Sequence, residues 1–352
     1  MKPPAEMLMG LALNGAKKHW RVVDEIDKAN RGSGGHFSTS YVVVDDDGNR
    51  AFLKAVDLVA AFEASDSFRE LERLLSTFNF ERDLLTICAD SRLDRIVRVL
   101  DEGQVEVEDA VEAPIKRVHF LVFELAEGDV SCQTHKVRRL ETAVCLRIMH
   151  NVAIGLQQLH GKGITHQDLR PSNVLQFQNM IAKLADLGRA GSKAHFAPHD
   201  ELSTPGCISY APPECLYGMD RGNLEIHLWR RCGDLFLLGS MLYFMFQGQM
   251  IMPEIQARLN PEHTPEQWAG TYDDILPYLR GTFIEVVEEY SRNLDPELQP
   301  TLTPALTQLC EPDPRMRGHP LNVASHGNQY AVERYISLFN RLATRSEWEL
   351  KK

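Results

Sequence analysis

The stretch Ile164-Thr-His-Gln-Asp-Leu-Arg-Pro-Ser-Asn173, followed by Asp186-Leu-Gly188, decides how this chain reads. It sets a carboxylate at Asp168, a guanidinium at Arg170, an amide at Asn173 and a second carboxylate at Asp186. A lone His-x-Asp triplet arises by chance in most chains of this size, so the spaced set carries the information. Upstream, Val144, Ile148, Val152, Leu156 and Leu159 lie four, four, four and three residues apart. That spacing predicts one face of a helix, which Gly161 and Gly163 stop. Downstream, residues 173–177 and 181–185 are short strand candidates, and a polar, Gly-containing stretch runs on to about residue 205.

Further out, the two ends differ. Residues 22–26, 41–44 and 51–56 are rich in β-branched and aromatic types, with a hairpin signal at Asp47-Gly48 between the second and third. Residues 66–90 change period: Leu71, Leu74, Leu75, Phe80, Leu84, Leu85 and Cys88 predict one helix or two. Residues 96–100 and 118–123 are again strand-like, separated by an acidic loop with Glu102, Glu106, Glu108, Asp109 and Glu112. That loop reads as a solvated connection, with contact to a regulatory partner protein as the alternative. Past residue 205 most of the chain reads as helix. A tail at 329–342 carries Val332, Tyr335, Ile336, Phe339 and Leu342 on one face, which predicts packing back onto the body.

Composition bounds the function. The chain has 352 residues, 43% hydrophobic and 25% charged, so disordered and fibrous classes are out. Its 38 basic against 49 acidic residues give a net charge of −11, which argues against broad binding to nucleic acid or anionic membrane. Seven cysteines form no CxxC pair, which predicts a reducing, cytoplasmic home. Pro3, Pro4 and Glu6 spoil the basic region of a signal peptide. The longest apolar run, residues 235–246, is 12 residues and reads as a buried helix too short to span a bilayer. The thirteen histidines show no metal-site spacing.

The quoted stretch resembles the catalytic loop and metal-binding motif of eukaryotic-type Ser/Thr protein kinases, H-R-D-x-x-x-x-N followed by D-F-G. The resemblance implies an α+β, bilobal protein-kinase-like fold with a β-rich N-lobe and a mainly helical C-lobe. It implies ATP and Mg2+ in the cleft, and transfer of the γ-phosphoryl group to a protein substrate. Asp168 would take the hydroxyl proton, Arg170 would stand in for the usual lysine beside the transferred phosphate, and Asn173 and Asp186 would hold the metal. Ala51-Phe-Leu-Lys54 looks like V-A-I-K, which places Lys54 on the α- and β-phosphates. Glu81 is the choice for its helix partner, with Glu72 the competitor. Gly32, Gly34 and Gly35 fall where the glycine-rich loop belongs, although aligning Phe37 with the loop-tip aromatic puts Ser33, Gly35 and Ser38 at the three glycine positions. Residues 121–129 resemble the hinge. There Phe123 is the gatekeeper, Glu124 and Ala126 offer backbone groups to adenine, and Asp129 faces the ribose.

Three further motifs complete the resemblance. Tyr210-Ala-Pro-Pro-Glu214 is similar to A-P-E, Asp234-Leu-Phe-Leu-Leu-Gly239 to the start of the central buried helix, and Cys310-Glu-Pro-Asp-Pro-Arg-Met-Arg317 to D-P-x-x-R. They imply a buried Glu–Arg ion pair and a buried anchor carboxylate. Small-molecule kinases lack this platform. Arg170-Pro-Ser-Asn173 resembles the K-P-x-N form of Ser/Thr kinases, not the tyrosine-kinase form. Gln167 replaces the arginine that normally holds a phosphorylated activation loop, so activity is expected not to depend on that switch. Ser192, Ser203 and Thr204 remain candidate phosphorylation sites. The H-Q-D variant and the reduced cysteines suggest a bacterial stand-alone member. The expected boundaries are an N-terminal extension at 1–20, the ATP-binding N-lobe at 21–125, the C-lobe at 126–320 and a helical extension at 321–352. A nucleotide-binding pseudokinase is the rival reading, and a small-molecule kinase the more distant one.

Overall fold

A computed structural model describes residues 2–26, 38–131, 142–325 and 328–350. The first half is built on six strands: β1 (Ala12–Asn14), β2 (His19–Glu25), β3 (Ser38–Asp45), β4 (Arg50–Val56), β5 (Val99–Glu106) and β6 (Arg117–Glu124). Their order in the sheet is β1-β2-β3-β4-β6-β5, antiparallel throughout. The sheet curls until its two edges meet. Gly15 bridges Gly103, and the Ala16 N–H donates to Glu102 O at 2.8 Å. Side chains at both glycines would run into neighbours, the Asp101 carboxylate for Gly15 and the Phe120 ring for Gly103. The interior of this near-barrel is filled by Leu13, Trp20, Val22, Tyr41, Val43, Leu53, Phe120 and Val122, with Ala5 and Leu8 at one end.

This corrects two boundaries. Residues ahead of Arg21 are part of the sheet, not an extension to it. A single buried carboxylate fastens them: Asp101 accepts N–H bonds from Lys17, Lys18, Glu102 and the Trp20 indole, all at 2.9–3.0 Å. The expected acidic loop is shorter than its composition suggests, because Glu102 and Glu106 belong to β5, whose side chains alternate between cover and solvent.

Residues 66–90 form one helix, α1 (Ser67–Asp90), opened by Asp66, whose side chain accepts the Arg69 N–H at 3.1 Å. Its inward face carries Leu74, Phe78, Leu84, Leu85 and Cys88, and among them Glu81. A hinge strand, β7 (Gly128–Asp129), leads into the helical half, where it pairs with β8 (Val174–Phe177), which in turn pairs with β9 (Ile181–Leu184).

Two helices dominate the second half. α2 (Thr142–Gly161) shows the apolar stripe read from the sequence, and α3 (Ile226–Gln247) is buried along nearly its whole length. Among the described residues no single helix is long and apolar enough to cross a membrane. α4 (Tyr272–Asn293) and α5 (Gln299–Leu309) pack around α3. The last helix, α6 (Glu333–Glu349), lies along α2 with Tyr335, Phe339 and Leu342 inward. Arg147 of α2 ties it down with a bidentate pair to Glu347 at 2.7 and 2.8 Å. The two halves meet where Ile96 bridges Leu184 and where Lys183 pairs with Glu124 at 2.6 Å.

Candidate active site

Strand parity explains where Lys54 points. Ala51, Leu53 and Ala55 of β4 face the barrel interior, so Phe52 and Lys54 face the cleft. Lys54 Nζ then lies 2.9 Å from Glu81 Oε2, 3.1 Å from Glu81 Oε1 and 3.3 Å from Asp186 Oδ1. Glu81, not Glu72, is the helix partner. A carboxylate among apolar side chains must find a cation, and Lys54 supplies it. Burial works against the lysine's charge, but the carboxylates of Asp186 and Glu81 outweigh it and hold the group fully protonated. Burial raises Glu81 against the pull of Lys54, whereas Asp186, though desolvation in the cleft opposes its charge, is held low by Lys54. One ammonium thus serves two carboxylates of unequal affinity.

The catalytic stretch hangs from α3. Asp234, fully buried, accepts the His166 N–H at 2.9 Å and the Gln167 N–H at 2.8 Å, and its Oδ2 also meets His160 Nε2 at 2.7 Å. His166 is a core histidine, with Nε2 3.2 Å from Ala185 O and Nδ1 accepting the Asp168 N–H at 3.3 Å. Gln167 and Asp186 both take left-handed backbone conformations, with φ of 61°. Such strained non-glycine positions gather at functional sites because only a rigid surround can maintain them.

Asp168 is held from three sides. The Cys207 N–H donates to its Oδ1 at 2.8 Å, the Asn173 amide nitrogen donates to its Oδ2 at 3.0 Å, and Arg170 Nε stands 3.4 Å from that same oxygen. Burial raises its proton affinity, which Arg170 opposes and Asp186 reinforces. Gly206 is essential to this contact, because a Cβ there would strike the Gln167 carbonyl and the Asp168 carboxylate. Asn173 turns its nitrogen to Asp168, which leaves its oxygen directed elsewhere. Asp186 keeps about a third of its side chain exposed. An amide oxygen and an exposed carboxylate are donors that fit a hard cation such as Mg2+, whose remaining ligands would be phosphate and water.

At the hinge, the Glu124 N–H donates to Arg98 O at 3.1 Å, so it does not donate to a ligand. Its carboxylate is taken up by Lys183 and by the Arg98 N–H, a structural tie that sequence order does not reveal. Phe123 is buried and its ring lies 6.1 Å from that of Phe52, closing the roof of the cleft. Ala126 is half-buried, and Asp129 accepts a hydrogen bond from Ser131. Gly32, Gly34 and Gly35 lie outside the described residues.

Behind the site, Arg317 and Glu214 form a bidentate pair at 2.6 and 2.8 Å with 0% and 1% of their side chains exposed. Missed in the sequence are Cys207, Lys183 and a second buried pair, Arg230–Asp200. A legible trace of Arg230 exists, since it precedes Asp234 by one helical turn.

The protein kinase domain family matches residues 32–327, and the chain belongs to that family. Among its relatives, sperm motility kinase Z of Mus musculus is 30% identical over 166 residues, 45% of this chain and 29% of that protein. Cyclin-dependent kinase B2-1 of Arabidopsis thaliana is 28% identical over 233 residues, 63% of this chain and 70% of the relative. Cyclin-dependent kinase B2-2 of the same plant is 27% identical over 271 residues, 73% and 78%. The chain spans less than half the length of some relatives it matches, including 39% of the CTD kinase subunit alpha of Saccharomyces cerevisiae.

Proposed function

We propose that the protein transfers the γ-phosphoryl group of ATP to serine or threonine hydroxyls of protein substrates. The observation that carries this is Asp168, a buried carboxylate oriented by Cys207, Asn173 and Arg170 within reach of the Lys54–Asp186 pair. Bound Mg2+ would neutralise the charge developing on the phosphates. Asn173 and Asp186 supply its protein oxygens, and Lys54, fixed by Glu81, fits the α- and β-phosphates. The substrate hydroxyl oxygen bonds to the γ-phosphorus as the bond to the ADP oxygen breaks, and the hydroxyl proton passes to Asp168. Arg170 stands beside Asp168 to stabilise the transferring group.

A protein acceptor is supported by the sealed Arg317–Glu214 platform and by a cavity of about 270 Å3 lined by Asp168, Cys207, Tyr210 and Trp229. The Arg170-Pro-Ser-Asn173 form favours serine and threonine over tyrosine. Cytoplasmic localisation belongs to the same reading, supported by the six cysteines among the described residues, none of which is in a disulfide. Radiolabelled ATP and Mg2+ with a generic protein acceptor should label serine or threonine. Asp168→Ala should lower transfer by about 10²- to 10⁴-fold, the usual worth of a positioned base, while nucleotide binding persists. Label on tyrosine alone overturns the acceptor assignment. Unchanged transfer in the variant removes Asp168 from the chemistry. ATP binding without any transfer would favour the pseudokinase reading.

A further inference from the structure

The segment from Leu187 to Glu214 must be ordered for Cys207 to meet Asp168, and in many phosphoryl-transfer enzymes an added phosphate supplies the anion that orders such a segment. Here the chain carries its own anion. Arg230 Nη2 lies 2.6 Å from Asp200 Oδ1, with 7% and 13% of the two side chains exposed. The other Asp200 oxygen accepts the Ala197 N–H at 2.9 Å, closing a tight turn. Beside it, His199 is buried, with Nε2 3.0 Å from Ala190 O and its ring edge-on to Phe80 of α1, centroids 6.0 Å apart. Gln167 Nε2 donates to Arg189 O at 3.2 Å. Gly191 is hemmed in by Gln167, Thr165 and the Arg230 stem, so a side chain there would have to displace them.

We propose that Arg230 and Asp200 form a built-in clamp that orders the activation segment without phosphorylation, acting as positioning residues for Asp168 through Cys207. This rests on the kinase reading above and names what replaces the switch that Gln167 cannot operate. The clamp works because of its helix. Arg230 and Asp234 are one turn apart on α3, and such residues share a face. Asp234 holds the catalytic stretch and Arg230 holds the activation segment, so one rigid element sets the register between the two. Removing either partner of a buried pair leaves the other as an uncompensated buried charge.

The test compares the full chain with Arg230→Gln, Asp200→Asn and Arg230→Lys. Hydrogen exchange is followed across residues 194–207, and transfer to dephosphorylated casein is assayed with KM for ATP measured separately. Both uncharged variants should lose exchange protection in that segment. They should also lower kcat by about tenfold or more while KM for ATP holds within about twofold, because the acceptor side alone is misplaced. Arg230→Lys, which keeps the charge, should fall between. Phosphatase-treated wild type and the triple variant S192A/S203A/T204A should keep their activity within about twofold. Unchanged exchange in both uncharged variants, or activity abolished by phosphatase treatment, overturns the clamp. A wild type that transfers no phosphate defeats the kinase reading instead, and the exchange result still decides whether the pair orders the segment.

Discussion

Two ion pairs in this protein use similar groups to opposite ends. Arg317–Glu214 is sealed: its guanidinium also donates to the carbonyls of Glu311, Cys232 and Pro312, and it sits over the Phe236 ring at 5.0 Å. Lys54 faces two carboxylates across an open cleft, with 24% of its side chain and 32% of that of Asp186 exposed. The first pair has every donor matched and no route for a ligand. The second has one cation shared between two anions, an arrangement that an incoming polyanion can rearrange. Saturation marks the group that holds the fold, and under-saturation marks the group that does chemistry.

The largest effect should come from breaking the sealed pair. Arg317→Ala leaves Glu214 charged and buried, and should lower stability by about 3–5 kcal/mol, read from denaturant unfolding. A loss under 1 kcal/mol, about that of a surface pair, would place Arg317 in the exposed class. Next comes the open pair: Lys54→Met should cost transfer about 10²- to 10³-fold and lower stability by less than Arg317→Ala does, because Glu81, whose proton affinity burial already raises, can neutralise itself by taking up a proton. If the stability loss instead matches that of Arg317→Ala, the contrast between the two pairs fails. The smallest effect concerns a third carboxylate, Asp234. Its burial favours the protonated form, but the bond to His160 and the backbone N–H donors outweigh this and hold its pKa below the ordinary aspartate value. Such a group contributes stability above its unfolded value of about 3.9 and loses that contribution as pH falls through the lower folded value. The stability gap between wild type and Asp234→Asn should therefore be full at neutral pH and narrow below about pH 4. A gap constant down to pH 2 would show that Asp234 does not titrate with folding.

Legibility in the sequence followed locality. Asp168, Asn173 and Asp186 are fixed within a short run, and Lys54 by the parity of one strand, so their spacing alone brings them together. Glu81 was readable only as a choice against Glu72, because it opens Glu81-Arg-Asp-Leu-Leu85, whose leucines turn to the core. The Asp200–Arg230 and Glu124–Lys183 pairs were not readable, because each depends on the path of a loop or on two strands meeting across the halves. β1 is three residues long, too short for any period to show. Glu102 and Glu106 read as loop by charge, although alternation in β5 lets charged residues line its solvent face.

The closure of the first sheet bears on how the protein may be divided. The family match begins at residue 32, after β1 and β2, yet those strands, Leu13 and Trp20 complete the barrel interior. A chain trimmed to that span would present β3 as a bare edge above an unroofed core. Such an edge pairs with whatever strand it meets, most readily its own copy. Sedimentation of the trimmed chain should show self-association absent from the full one, and a monodisperse monomer would mean the barrel closes without its first two strands. The family boundary is thus a boundary of resemblance, whereas the sheet it cuts extends back to Ala12.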